Sequence, residues 1–63
     1  MTLRTILVDD EILNLKNLEV ILKNHFQEIE IIGLFQNAID AKIFIKNNRV
    51  SYIIELFKQY MIS

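Results

Sequence analysis

Ile6-Leu7-Val8-Asp9-Asp10-Glu11 joins an apolar run to three consecutive acids. An apolar strand that delivers paired carboxylates at its C-terminal end is how open α/β sheets build divalent-metal sites, because ligands gather in the crevice beyond the carboxyl ends of the strands. Asp9 and Asp10 are hard oxygen donors of the kind Mg²⁺ takes. Without their surroundings the same acids read as a helix-capping cluster, since Asp is a preferred N-cap and acids suit the positive end of a helix dipole. Other residue types that carry chemistry are few. The single His, His25, falls where a helix should end, and it reads as a partner of the helix dipole rather than a phosphoryl carrier. With no Cys there is neither a thiolate metal site nor a disulfide framework. Ser and His are too few and too scattered for a hydrolytic triad, so the expectation is a protein that is not an enzyme.

The elements that must position the acids are readable. Leu3 to Val8 forms a near-continuous apolar run, the pattern of a strand covered on both faces, and it stops abruptly at Asp9. A helix should follow from about Glu11 to His25. Ile12, Leu15, Leu18, Leu22 and Phe26 recur at spacings of three and four, with Ile21 widening the stripe. Asp10 is placed to cap its first turn, with Glu11 at the dipole's positive end. Ile29 to Phe35 reads as a second strand between Gln27-Glu28 and Gln36-Asn37. Its alternation breaks at Ile32, which suits an edge strand, and Gly33 marks a bend or a close backbone approach. A second helix should start from Asn37 as N-cap, with Asp40 three residues on and an apolar stripe of Ala38, Ala41, Phe44 and Ile45. Asn47-Asn48 look like its stop. The two strands should be parallel and joined by a right-handed crossover. From Val50 onward the signal is ambiguous between strand and helix. Val50-Ser51-Tyr52-Ile53-Ile54 has strand composition, whereas Val50, Ile53, Ile54, Phe57 and Met61 keep helical spacing; periodicity alone favours a helix over 51–61.

Composition bounds the function classes. At 63 residues the chain is at most one small domain, and chains this short bury only about 60% of their unfolded surface. The sequence is 52% hydrophobic with one Gly and no Pro, which argues against disorder. A net charge of −1 gives no electrostatic grip on nucleic acid, and the phenylalanines (Phe26, Phe35, Phe44, Phe57) read as core because no basic groove accompanies them. Charged or amide residues interrupt every apolar run before the roughly 18 residues of a membrane span. Met1-Thr2-Leu3-Arg4 lacks a signal-peptide layout, so a cytoplasmic location is the expectation.

The order strand, acidic pair, helix, strand, helix resembles the start of a response-regulator receiver domain. The carrying residues are Ile6-Leu7-Val8-Asp9-Asp10-Glu11, then Leu13 with Asn17-Leu18, then Ile29-Glu30-Ile31-Ile32-Gly33, and then Asn37-Ala38 with Ala41. The Asn17-Leu18 pair and the Ile29–Gly33 segment look most like LytTR-type regulators. The resemblance covers residues 1 to about 48. It implies a truncated flavodoxin-like α/β fold in which residues 1–63 form a partial receiver, with residues 50–63 as a tail departing from the family. It also implies membership of a two-component phosphorelay, in which a histidine kinase passes a phosphoryl group to an Asp at the end of the third strand. In that scheme Asp9 and Asp10 hold the Mg²⁺ that neutralises the transferring charge, and Glu11 starts the helix. A phosphatase of the haloacid-dehalogenase type is the catalytic alternative. It needs Asp-x-Asp-x-Thr, whereas Asp9-Asp10-Glu11-Ile12-Leu13 puts Glu and Leu at the later positions.

The phosphoacceptor is where the sequence departs from the family. An ungapped register from Gly33 puts Leu56 at that position, and skipping one loop residue puts Glu55 there. Neither is Asp. Glu55 also reads more simply as a solvated charge on a tail helix, beside Lys58 or Gln59. The family's later hydroxyl and Lys residues would fall beyond Ser63, and Lys58-Gln59-Tyr60-Met61 does not reproduce its Met-Pro. The sequence therefore predicts a receiver read short or out of frame after about Arg49, with phosphotransfer lost and Mg²⁺ weakly held. The alternative is a small module that engages a histidine kinase or an intact regulator without being phosphorylated. Unless residues 50–57 cover it, one edge of the first strand should stay open and promote instability or self-association.

Overall fold

The computed structural model describes residues 2–56. The elements run β1 (Leu3–Val8), α1 (Ile12–His25), β2 (Ile29–Phe35), α2 (Ala38–Asn47) and β3 (Tyr52–Glu55). The strands form one parallel sheet in the order β2-β1-β3, with β1 central. The third segment is a strand, not the helix that periodicity favours. β1 has a second row of backbone groups and two apolar faces, and Tyr52–Glu55 pairs with that row from Thr5↔Tyr52 to Val8↔Glu55. Satisfying the central strand outweighs the local helical spacing. The Ser51 N–H donates to the Arg4 carbonyl (2.7 Å) and anchors the start of the pairing. Residues 57–61 of the expected helix lie outside the described residues.

A core lies on each side of β1. Leu7 packs with Leu15 and Leu22 of α1, joined by Leu18, Ile29, Ile31, Leu34 and Ile54. Ile6 and Val8 point the other way, to Ala41 of α2, joined by Ile32, Phe35, Phe44, Ile45 and Val50. Ile6, Leu7 and Leu15 are fully buried, each burial stabilising by about 1.5–3 kcal/mol. Not all of the predicted stripes are core. Ile12, Ile21 and Phe26 are exposed, as is Ala38. A single sheet layer offers α1 only one narrow contact, so the stripe's margins stay wet.

β2 carries an irregularity where its alternation breaks. Thr5 pairs with Ile31 but Ile6 pairs with Gly33, so Ile32 is an extra residue. A bulge resets the side-chain alternation. Ile29, Ile31 and Leu34 thereby face α1 while Ile32 and Phe35 face α2. A Cβ built on Gly33 would lie 2.6 Å from Cε2 of Phe35, so the missing side chain makes room for that ring. The ring packs in turn on Phe44, with centroids 5.1 Å apart.

Helix ends follow the polar signals closely. The Asn37 side chain accepts from the Asp40 N–H (2.8 Å) and donates to Asp40 Oδ2 (2.9 Å), fixing the start of α2. At its other end the Asn47 and Asn48 side chains donate to the carbonyls of Ile43 and Phe44 (both 3.0 Å), folding both amides back onto the last turns of the helix. No helix of the described residues is long and apolar enough to cross a membrane.

Candidate functional site

Because β1 is parallel to both neighbours, its C-terminal end opens on the crevice edge of the sheet. Asp9 is the first residue after the strand and its N–H donates to the Phe35 carbonyl (3.0 Å). Its residue is only 1% exposed, although its neighbours Asp10 and Glu11 are exposed. Burying a carboxylate is costly unless hydrogen bonds compensate, and Asp9 Oδ1 accepts from the Glu11 N–H at 2.9 Å. This two-residue loop is the turn geometry that Asp favours. The expected cap is therefore corrected. The helix begins at Ile12 with Glu11 in the N-cap position, making no side-chain cap bond, and Asp9 rather than Asp10 ties the turn. The Asp10 carbonyl accepts from Gln36 Nε2 (3.4 Å), which joins the β1–α1 loop to the β2–α2 loop.

The third strand reaches the same end. Val8 pairs with Glu55, and the Leu56 N–H donates to the Val8 carbonyl (2.9 Å). Leu56 is thus the residue level with Asp9, while Glu55 is exposed and shares the level and face of Val8. The structure brings Asp9, Asp10 and the end of β3 to one edge but does not gather a third acid. Among the described residues no group of three or more His, Cys, Asp or Glu is placed to hold a metal. Asp9 and Asp10 remain a two-carboxylate donor set, with one Asp9 oxygen engaged by the turn. Such a pair fits a largely hydrated Mg²⁺, which is commonly held by one or two carboxylates and keeps several waters.

His25 is the last residue of α1 and exposed, with Lys23 in the same turn, so both basic side chains sit at the helix's negative end. Lys23 also pairs with Glu19 at 3.5 Å. Two features escaped sequence reasoning. One is the Gln36 bridge between loops. The other is an apolar groove of about 240 Å³ at the far end of the sheet, lined by Leu3, Thr5, Ile29, Tyr52, Ile53 and Ile54. Strand composition at 52–54 was the available signal for the groove; nothing local marks Gln36. Comparison of the chain with protein-family models, curated proteins and solved structures found no match.

Proposed function

We propose that the chain is a partial receiver domain of a two-component phosphorelay, retaining the acidic end of the site without phosphotransfer. The observation that supports this most is the sheet order β2-β1-β3 with Asp9 and Asp10 leaving the central strand. That is the order with which flavodoxin-like sheets begin, and the acids stand at its strand-order switch point. Loss of phosphotransfer follows from the residue level with Asp9. Leu56 has no nucleophilic oxygen, and the neighbouring Glu55 is turned to the face of Val8. Asp9 and Asp10 would hold Mg²⁺, which when bound supplies positive charge for a phosphoryl group.

Titration of the purified chain with Mg²⁺, followed by amide NMR and repeated with an acyl-phosphate donor, tests the reading. Shifts should concentrate at residues 9–11 and 36, and Asp10→Asn should raise the midpoint by about tenfold or more by removing one of two carboxylates. Mass spectrometry should find no phosphoryl adduct. Diffuse shifts indifferent to Asp10→Asn would remove the metal role, and an adduct would remove the inactive reading.

A second reading, a module that binds a histidine kinase or an intact regulator unphosphorylated, is favoured by the outer face of α1. Leu13 is 72% exposed and Val20 56% exposed, and seven residues apart they lie on one face of a helix. Binding of such a partner that survives Leu13→Asp with Val20→Asp would count against it.

A further inference from the structure

β3 is the least covered element of the sheet. Neither helix lies over it, and among the described residues no strand pairs with its outer edge. Tyr52 is 56% exposed and Ile53 47% exposed, while Ile54 packs half-buried on the α1 cluster. Among the described residues a strand of buried-type composition is thus partly open on each face and unpaired on one side. Backbone groups alternate in direction along a strand. Leu56 directs its N–H to the Val8 carbonyl, and Ile54 and Tyr52 share its parity in the pairing with β1, so the N–H and C=O groups that point outward are those of Ile53 and Glu55. The edge therefore presents two outward-facing residues, Ile53 and Glu55, separated by Ile54.

We propose that this edge is a self-association site, at which a second copy of the chain adds its β3 antiparallel about a two-fold axis through Ile53. The pattern is self-complementary in that register. Ile53 faces Ile53, where the two copies exchange both backbone hydrogen bonds, and Tyr52 of one copy lies opposite Ile54 of the other as a non-hydrogen-bonded pair. Glu55, the single charged residue of the strand, lies opposite Ser51. Charge also selects the direction. A parallel pairing of two copies would stack Glu55 on Glu55 and bring the Asp10-Glu11 ends together. The antiparallel pairing sets that acidic end of one copy toward the Arg4 and Arg49 end of its partner, where Arg4 Nε donates to the Arg49 carbonyl (2.8 Å). The product is a six-stranded sheet, β2-β1-β3-β3-β1-β2, in which the two apolar grooves beside Tyr52 become neighbours. Four residues per strand fall well short of the roughly 20–30 residues per side of a permanent interface, so association should be concentration-dependent.

Sedimentation equilibrium of the full chain from about 10 μM to about 1 mM spans the range in which so small an interface associates. A monomer–dimer equilibrium is expected. Ile53→Lys and Ile53→Glu should each be monomeric with unchanged far-UV circular dichroism, and mixing them should restore a dimer through the opposed charges. The chain has no cysteine, so Ile53→Cys should form an intermolecular disulfide, since its directly opposed pair holds Cα atoms about 5.5 Å apart, within the separation a disulfide spans. Ile54→Cys should do so slowly, because its own copy lies diagonally across. A chain that stays monomeric throughout would overturn the proposal, whether residues 57–63 or another protein's strand serves the edge. So would a dimer that ignores Ile53→Lys but dissociates on Leu13→Asp, or equal cross-linking at 53 and 54.

Discussion

β1 and β3 are built from the same kind of residue and have opposite fates. Ile6-Leu7-Val8 and Tyr52-Ile53-Ile54 are both short runs suited to a strand covered on two faces. They lie side by side, Ile6 level with Ile53 and Leu7 level with Ile54. Yet Ile6, Leu7 and Val8 are buried, whereas Tyr52 and Ile53 are exposed and Ile54 is half-buried. The difference is position. β1 has a strand on each side and a helix over each face, while among the described residues β3 has one neighbouring strand and no helix of its own. Burial, and with it stability, comes from what the chain stacks around a strand rather than from the strand's own composition. The same contrast explains the acidic site. Asp9 is buried because it leaves the central strand, and Glu55, the last residue of the outer strand, stays in solvent.

The strongest test of this contrast compares the paired positions Leu7 and Ile54, which share one face and one cluster. Leu7→Ala empties the centre of that cluster and should cost about 3 kcal/mol, within the range for buried Leu truncations. For a chain of this size that approaches the whole folding free energy, so the variant should be largely unfolded at 25 °C. Ile54→Ala removes a half-buried side chain and should cost about 1 kcal/mol. Urea melts at low protein concentration measure both, and equal midpoints would break the contrast.

Most of the positioning frame is legible locally. β1 and β2 end where polar residues interrupt apolar runs, at Asp9 and at Gln36-Asn37, and Asn37 announces α2 with its own cap. The break at Ile32 marks the bulge. What is not legible depends on distant partners. Residues 52–55 become a strand because β1 has an open edge, which no local spacing records. At the site, Asp9 and Asp10 are equally competent to hold the turn, and only the strand's end point selects Asp9. The exposure of Ile12, Ile21 and Phe26 depends on how much sheet lies beneath α1, again a property of the assembled fold.

The opposite edge of the sheet sharpens the comparison, because β2 is an edge strand that has been covered. Its residues Ile32 and Phe35 reach the α2 core only through the bulge and the space at Gly33. Gly33→Ala puts a methyl 2.6 Å from the Phe35 ring, which must shift and weaken its contact with Phe44. The expected cost is about 2 kcal/mol, typical of overpacking a core. In a Phe35→Leu background the clash is relieved. The same substitution should then be neutral or slightly stabilising, because Ala is favoured over Gly within a strand. Thermal melts of the four proteins in this cycle supply the numbers; a cost that persists in the Leu background would place the strain in the backbone instead.

The finest test removes one methylene at the same level on neighbouring strands. Ile6→Val and Ile53→Val are chemically identical, keep β-branching and leave strand propensity nearly unchanged. Ile6 is fully buried beneath α2, so the lost methylene leaves a gap that close packing cannot refill, at about 1 kcal/mol. Ile53 is 47% exposed, and water occupies the vacated space, so the change should stay within about 0.3 kcal/mol when the chain is dilute. Raising the protein concentration alters only one side of this pair. If the Ile53 edge associates, the Ile53→Val cost should grow with concentration by mass action, whereas the Ile6→Val cost should not. Matched denaturant midpoints at low and high concentration therefore separate burial within the fold from burial at the edge. Equal effects at both positions and both concentrations would mean that position in the sheet does not set the worth of an apolar side chain here.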